Sequence, residues 1–158
     1  ARVIPLKYRI DVAMSGRLGM EIQPRNMTDA ERDLCRKAIG EYKQIRPIVQ
    51  LGDIYRLQSP YDNKGVASLM YVTEARDKAV WYWWKTETFV NQHLPRIPMA
   101  GLDPARTYTV RELNRVDRKP LACEGRQYSG AYLMEHGLEM PYTHDTGTAW
   151  ASRVLLLE

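Results

Sequence analysis

The sequence predicts a mainly β protein in which one strand–helix unit precedes an all-β module. Three observations lead there. Thr28-Asp29-Ala30-Glu31 opens a helical pattern that runs to about Gln50. Before it lies a short strand-like piece, Leu18-Gly19-Met20-Glu21-Ile22. After Gly52 nearly every apolar stretch is short, aromatic or β-branched, and closed by Gly, Pro or Asn. A lone strand–helix unit cannot bury both its faces and belongs to a larger α/β body, so the chain reads as the end of a bigger protein. The start, Ala1-Arg2-Val3-Ile4-Pro5, lacks a signal-peptide layout and an initiator Met, which fits a truncated or processed start.

The elements follow in order. Val12-Ala13-Met14 and Leu18–Ile22 are strand candidates joined by a turn at Ser15-Gly16-Arg17, and Pro24-Arg25-Asn26 is a loop. The helix has a capping box: Thr28 accepts from the amide of Glu31, whose side chain reaches back to the amide of Thr28. The staple positions hold Met27 and Arg32, so no hydrophobic staple forms. Leu34, Ala38, Tyr42 and Ile45 recur at helical spacing, with Cys35, Ile39 and Val49 widening the stripe. Arg32, Arg36, Lys37, Lys43 and Gln44 take the opposite side. Such a stripe needs a partner, either the β module or a second copy of the chain. Pro47 disfavours helical geometry at Arg46, so the helix should bend or end there.

From Asp53 the period changes to two. Residues 53–57 read as a strand and 59–65 as a loop of turn formers. Residues 66–73 and 78–86 read as a hairpin across Glu74-Ala75-Arg76-Asp77. Residues 96–99, flanked by Pro95 and holding Pro98, are edge-like. Residues 102–105 are a turn, 107–113 a strand, 129–138 a loop or short helical turn, and 149–157 the last strand. Strands at this spacing predict an antiparallel β-sandwich.

The 158 residues suffice for one domain, or for a β-domain of about 100 residues with an appendage. Hydrophobic residues make up 44% and charged ones 27%, which excludes a disordered chain. The net charge of +4 is spread among acids, as in Glu31-Arg32-Asp33, and argues against nucleic-acid binding. No apolar run approaches the ~20 residues that cross a bilayer. The two cysteines, Cys35 and Cys123, read as free thiols, since no spacing supports a disulfide between them.

Candidate chemistry is sparse. Trp81-Tyr82-Trp83-Trp84 alternates, placing Trp81 and Trp83 on one face and Tyr82 and Trp84 on the other. Rings on a strand fill a sandwich core or, if exposed, stack on sugars. His93, His136 and His144 lie at no metal-ligand spacing, and His144-Asp145 reads as a surface pair. No metal or cofactor is expected, and there is neither a nucleophile elbow nor a phosphate loop. Asn26-Met27-Thr28 fits a glycosylation acceptor, but capping by Thr28 already explains the Thr. Asp11, Glu21 and Asp53 flank strand ends, where a barrel's acids would sit, yet nothing pairs them.

Three segments carry a resemblance: residues 5–22; residues 42–57, Tyr-Lys-Gln-Ile-Arg-Pro-Ile-Val-Gln-Leu-Gly-Asp-Ile-Tyr-Arg-Leu; and Gly101-Leu102-Asp103-Pro104 followed by Tyr108-Thr109-Val110, Tyr128-Ser129-Gly130 and Leu133-Met134. In this order they resemble the C-terminal end of bacterial α-galactosidases of glycoside hydrolase family 36. The resemblance implies an N-terminal β-supersandwich, a central (β/α)8 barrel and a C-terminal antiparallel β-sandwich. Residues 1–51 would be the last strand and helix of the catalytic barrel and 52–158 the sandwich. It implies retaining hydrolysis of terminal α-galactosides by two Asp, one after a Lys-Trp pair and one in a Ser-Asp-Asp-like stretch. Neither pattern occurs here, so both catalytic Asp are expected upstream of Ala1 and no catalytic residue is carried over. Met14–Leu18 would at most derive from the barrel's strand-to-loop region near the sugar. The fragment would brace the barrel and be inactive alone; the alternative is a carbohydrate-binding sandwich using exposed tryptophans. Expected partners are the rest of its own barrel, an α-galactoside in the parent enzyme and a second copy in a homo-oligomer, but neither nucleic acid nor membrane. The expected setting is soluble, in a bacterial cytoplasm or periplasm.

Overall fold

The computed structural model describes residues 4–62, 65–87, 94–116, 119–141 and 149–158. Helix α1 spans Leu6–Met14, α2 Asp29–Leu51 and α3 Gly130–His136. The strands are β1 (Asp53–Gln58), β2 (Val66–Val72), β3 (Ala79–Lys85), β4 (Thr107–Leu113), β5 (Gln127–Ser129) and β6 (Ala151–Leu157). All six join one antiparallel sheet in the order β1-β2-β3-β6-β4-β5.

The mainly antiparallel β character is as the sequence predicts. The second sandwich layer differs. Among the described residues it is built not from a second sheet but from segments laid across one face. Ile97, Met99, Leu102, Leu121, Cys123, Leu133, Leu138 and Met140 cover Met70, Trp81, Trp83, Val110, Leu155 and Leu157. The expected edge piece at 96–99 makes only a bridge, Ile97 to Leu138, because its prolines remove ladder donors. The short turn at 129–138 is α3, capped by Ser129 Oγ on the amide of Tyr132. It stops at Gly137, whose φ of +63° suits glycine and whose Cβ, if present, would stand 2.2 Å from the Ile97 carbonyl oxygen.

Helices α1 and α2 cover the opposite face. The residues of β3 are buried at every position, since both faces of this central strand are covered. The capping box of α2 forms as read: Thr28 N donates to Glu31 Oε2 at 2.8 Å and Glu31 N to Thr28 Oγ1 at 3.3 Å. The Thr28 amide and hydroxyl hold the Glu31 carboxyl below its usual pKa.

Three local expectations are corrected. Val12–Met14 is not a strand but the end of α1. Lys7–Val12 alternates polar and apolar residues and so imitates period two, yet Tyr8, Ile10, Asp11 and Met14 are the buried positions and Val12 is exposed, so the polar Asp11 is buried and the apolar Val12 is not. Leu18–Ile22 is not assigned as a strand either. Its burial still alternates, with Leu18, Met20 and Ile22 half-buried and Gly19 and Glu21 exposed. The segment thus keeps a strand's period of two in its burial, but among the described residues no neighbour pairs with it. Finally, α2 does not end at Arg46 but runs through Pro47 to Leu51. Pro47 and Lys43 are both exposed, so the single carbonyl that Pro47 leaves unbonded faces water, while buried Ile45, Ile48 and Val49 hold the last turns.

Candidate functional site: the seam between helices and sheet

The best-built polar feature of the chain lies where α1 and α2 meet the sheet. Its apolar base is what the α2 stripe predicts, except that Ile39, read as widening the stripe, is exposed. Ala38, Tyr42, Ile45, Ile48 and Val49 join Tyr8, Ile10 and Met14 of α1 against Val80, Tyr82, Trp84, Leu113, Val154 and Leu156. Burying each such side chain contributes about 1.5–3 kcal/mol relative to exposure. The stripe's partner is therefore the β module.

Two polar devices are set into this base. The first is centred on Asp11, which is fully buried on α1. Its Oδ1 accepts from Asn114 Nδ2 at 2.7 Å and its Oδ2 from Ser152 Oγ at 2.7 Å. Lys7, one turn earlier, ion-pairs with Asp11 and donates to the Ser152 carbonyl at 3.0 Å. Asn114 sits just past β4 with φ +50°, a region Asn tolerates better than most residues, and its amide donates to the Glu41 carboxylate of α2. One carboxylate thus links α1, β6 and the end of β4, and Glu41 adds α2.

The second device closes the C-terminus of α1. The last carbonyls of a helix lack intrahelical donors. Here the carbonyl of Met14, the last helical residue, and those of Ser15 and Gly16 just after it receive tyrosine hydroxyls: Tyr82 donates to Met14 O at 2.7 Å, Tyr71 to Ser15 O at 2.7 Å and Tyr42 to Gly16 O at 2.6 Å. The donors come from β3, β2 and α2. Burial pushes the Tyr82 and Tyr71 hydroxyls above their usual pKa. Replacing Tyr82 by Phe is expected to cost about 1–3 kcal/mol by leaving the Met14 carbonyl without its donor, read as a lower urea midpoint. The raised folded-state pKa also fixes a pH dependence. Stability from Tyr82 is fully present below the unfolded value of about 10 and is lost as pH rises toward the folded value. Urea midpoints should stay level from pH 7 to 9 and fall above pH 10, less steeply in Tyr82→Phe.

The sequence candidates fall outside any catalytic arrangement. Asp11 is committed to the seam, Glu21 is exposed in the segment before α2, and Asp53 is exposed at the start of β1. Trp81, Trp83 and Trp84 are 0%, 3% and 8% exposed, so the reading of them as an exposed sugar platform is corrected: both sheet faces are covered and the rings are core. Tyr82 and Trp84 stack at 5.5 Å on the helix side. His136 is exposed on α3, its ring 4.9 Å from that of Tyr132. His93, His144 and Asp145 lie outside the described residues. Both cysteines are free and buried, and burial pushes the Cys123 thiol up to about 11. Among the described residues no group of His, Cys, Asp and Glu could hold a metal, and no helix is long and apolar enough to cross a membrane. Beside the tyrosine clamp lies a surface pocket of 410 Å³ lined by Gly16, Arg17, Val49, Gln50 and Leu51, without a carboxylate. Sequence reasoning missed Lys7, Tyr71, Asn114 and Ser152 as partners. The available signal was polar atoms on strands and stripes that otherwise read as core.

Comparison with known proteins interprets this seam. Residues 66–157 match the family model described as the glycosyl hydrolase family 36 C-terminal domain. The chain belongs to glycosyl hydrolase family 36. Residues 1–52 match a second family model, Melibiase. The chain is 34% identical over 159 residues to "Alpha-galactosidase C" of Emericella nidulans, covering 99% of this chain and 18% of that protein. It is 31% identical over 141 residues to "Alpha-galactosidase AgaA" of Geobacillus stearothermophilus, covering 89% of this chain and 18% of the relative. The crystal structure of that family 36 enzyme superimposes with a TM-score of 0.85 at 29% identity, over 99% of this chain and 20% of the other. The chain therefore spans about a fifth of the length of these relatives. The seam described above is where the two family-model regions pack together.

Proposed function

We propose that this chain is the C-terminal portion of an α-galactosidase whose complete protein hydrolyses terminal α-galactosides with retention, and that its β module braces the catalytic barrel. Residues 1–51 are the closing part of that barrel and residues 52–158 the C-terminal module. The seam carries this reading. A fully buried carboxylate and three tyrosine hydroxyls tie α1 and the chain after it to the sheet, while Leu18–Ile22 keeps a strand-like burial alternation with no ladder partner among the described residues. An unpaired strand beside a capped helix is the form the last repeat of a (β/α)8 barrel takes when the other repeats are not alongside. The relatives' names support the activity, and structures of AgaA variants hold raffinose and stachyose.

In this reading both catalytic Asp come from outside the residues given, and the chain alone is inactive. Met14–Leu18 moves away from the sugar. It follows a helix and leads into the strand, and helix-to-strand loops of a barrel lie on the face opposite the active site. The experiment is an assay of the 158-residue chain on an aryl α-galactoside beside the full-length protein. Turnover is expected only from the long form. Equal rates per molecule would overturn the bracing reading, and no turnover by the long form would overturn the galactosidase reading.

A further inference from the structure

The two ends of the strand–helix unit are unlike. At one end, Gly16 and Arg17 share a pocket with Val49, Gln50 and Leu51, next to the tyrosine clamp. Helix α2 then runs 23 residues away from it, roughly 34 Å at 1.5 Å per residue. At its far end, after the carboxyl end of the Leu18–Ile22 segment, comes the loop 23–28. Gln23, Arg25 and Asn26 are all exposed there.

This loop is fixed although it is exposed. Its backbone closes a turn through Asn26 N to Gln23 O at 3.0 Å and Met27 N to Pro24 O at 3.2 Å. Arg32 Nη1 reaches back from α2 to Pro24 O at 3.2 Å and Met27 O at 2.6 Å. Arg25 Nε donates to Gln23 Oε1 at 3.0 Å, leaving the remaining guanidinium donors pointing from a held side chain. A guanidinium fork and two amides present donors and acceptors together, which is what adjacent sugar hydroxyls require. A pre-held polar group also loses less side-chain freedom on binding. In a (β/α)8 barrel the loops after the carboxyl ends of the strands build the substrate face.

We propose that Gln23, Arg25 and Asn26 belong to the substrate cleft of the complete enzyme, where they hydrogen-bond the sugar units attached to the galactose that is released. This rests on the barrel reading given above. They bind substrate and are not proposed to take part in bond breaking.

The test uses the full-length protein and two substrates, raffinose and an aryl α-galactoside. Arg25→Ala is expected to raise KM for raffinose about tenfold, the size of one lost charge-assisted hydrogen bond, and to lower the raffinose-to-aryl ratio of kcat/KM accordingly. Asn26→Ala should move the ratio the same way by a smaller factor. Arg25 bonds the neighbouring Gln23 side chain, an exposed contact that contributes little to stability, so melting temperatures should stay close to the parent. Arg36→Ala, further along α2 and paired only with Asp33 among the described residues, is the control and should change neither constant. Ratios within twofold of the parent in both Arg25→Ala and Asn26→Ala would overturn the assignment while leaving the galactosidase reading intact. A wild-type full-length protein that cleaves neither substrate would overturn both.

Discussion

Asp11→Ala is expected to destabilise the protein by about 3–5 kcal/mol, the cost of removing one partner from a buried ion pair. The carboxylate is fully buried and receives Asn114 Nδ2, Ser152 Oγ and the Lys7 ammonium. Its loss leaves a largely buried cation and two donors without their acceptor. Lys7 keeps only the Ser152 carbonyl at 3.0 Å. Asp11→Asn should recover part of the loss, since an amide oxygen still accepts from Ser152 or Asn114 but offers Lys7 no charge. Urea unfolding reads both variants, and a midpoint for Asp11→Ala within experimental scatter of the parent would show that the network contributes nothing. Because the network spans α1, β4 and β6, unfolding of the parent should report one transition by far-ultraviolet dichroism and by tryptophan fluorescence. Two separate transitions would mean that the helices and sheet are independent units.

Trp81→Ala should cost a similar amount, about 3–5 kcal/mol, by a different route. Trp81 is central on β3, between Met70 and Leu155, and 0% exposed. Its indole N–H has no partner among the described residues, so no hydrogen bond is lost on substitution. The effect is the lost burial of the indole together with the cavity left beneath the Ile97–Leu102 and α3 cover. Trp81→Phe keeps most of the volume and also removes the unpartnered donor, so its cost should be less than half that of the alanine variant. Equal costs for the two would show that the indole nitrogen is held by something other than packing.

Much of this fold could be read from residue order. The α2 stripe at Leu34, Ala38, Tyr42 and Ile45, the Thr28–Glu31 box, and the alternation of Trp81–Trp84 each obey one local rule, and the structure follows them. Helix α1 could not be read, because Lys7–Val12 alternates as a strand would and Pro5 supplies no side-chain cap. Its helical state is set by packing on the sheet, with Met14 fully buried beneath Tyr82. Leu18–Ile22 has the pattern of a strand, but a strand is completed by neighbours, and pattern alone does not provide them. The seam was the least legible part. Lys7, Asp11, Asn114 and Ser152 are separated by up to 145 positions and meet only after the sheet forms. The tyrosines were legible as rings and not as donors, since their acceptors are main-chain atoms at a helix end.

That choice of acceptor shapes how this joint can change over time. A carbonyl oxygen is the same whatever residue bears it. Met14, Ser15 and Gly16 can therefore be exchanged for other amino acids of tolerable bulk and conformation while the clasp stays closed. The burden of invariance falls on the hydroxyls of Tyr42, Tyr71 and Tyr82, spread over three elements, so drift should accumulate at the clasped loop sooner than at the distant rings that hold it.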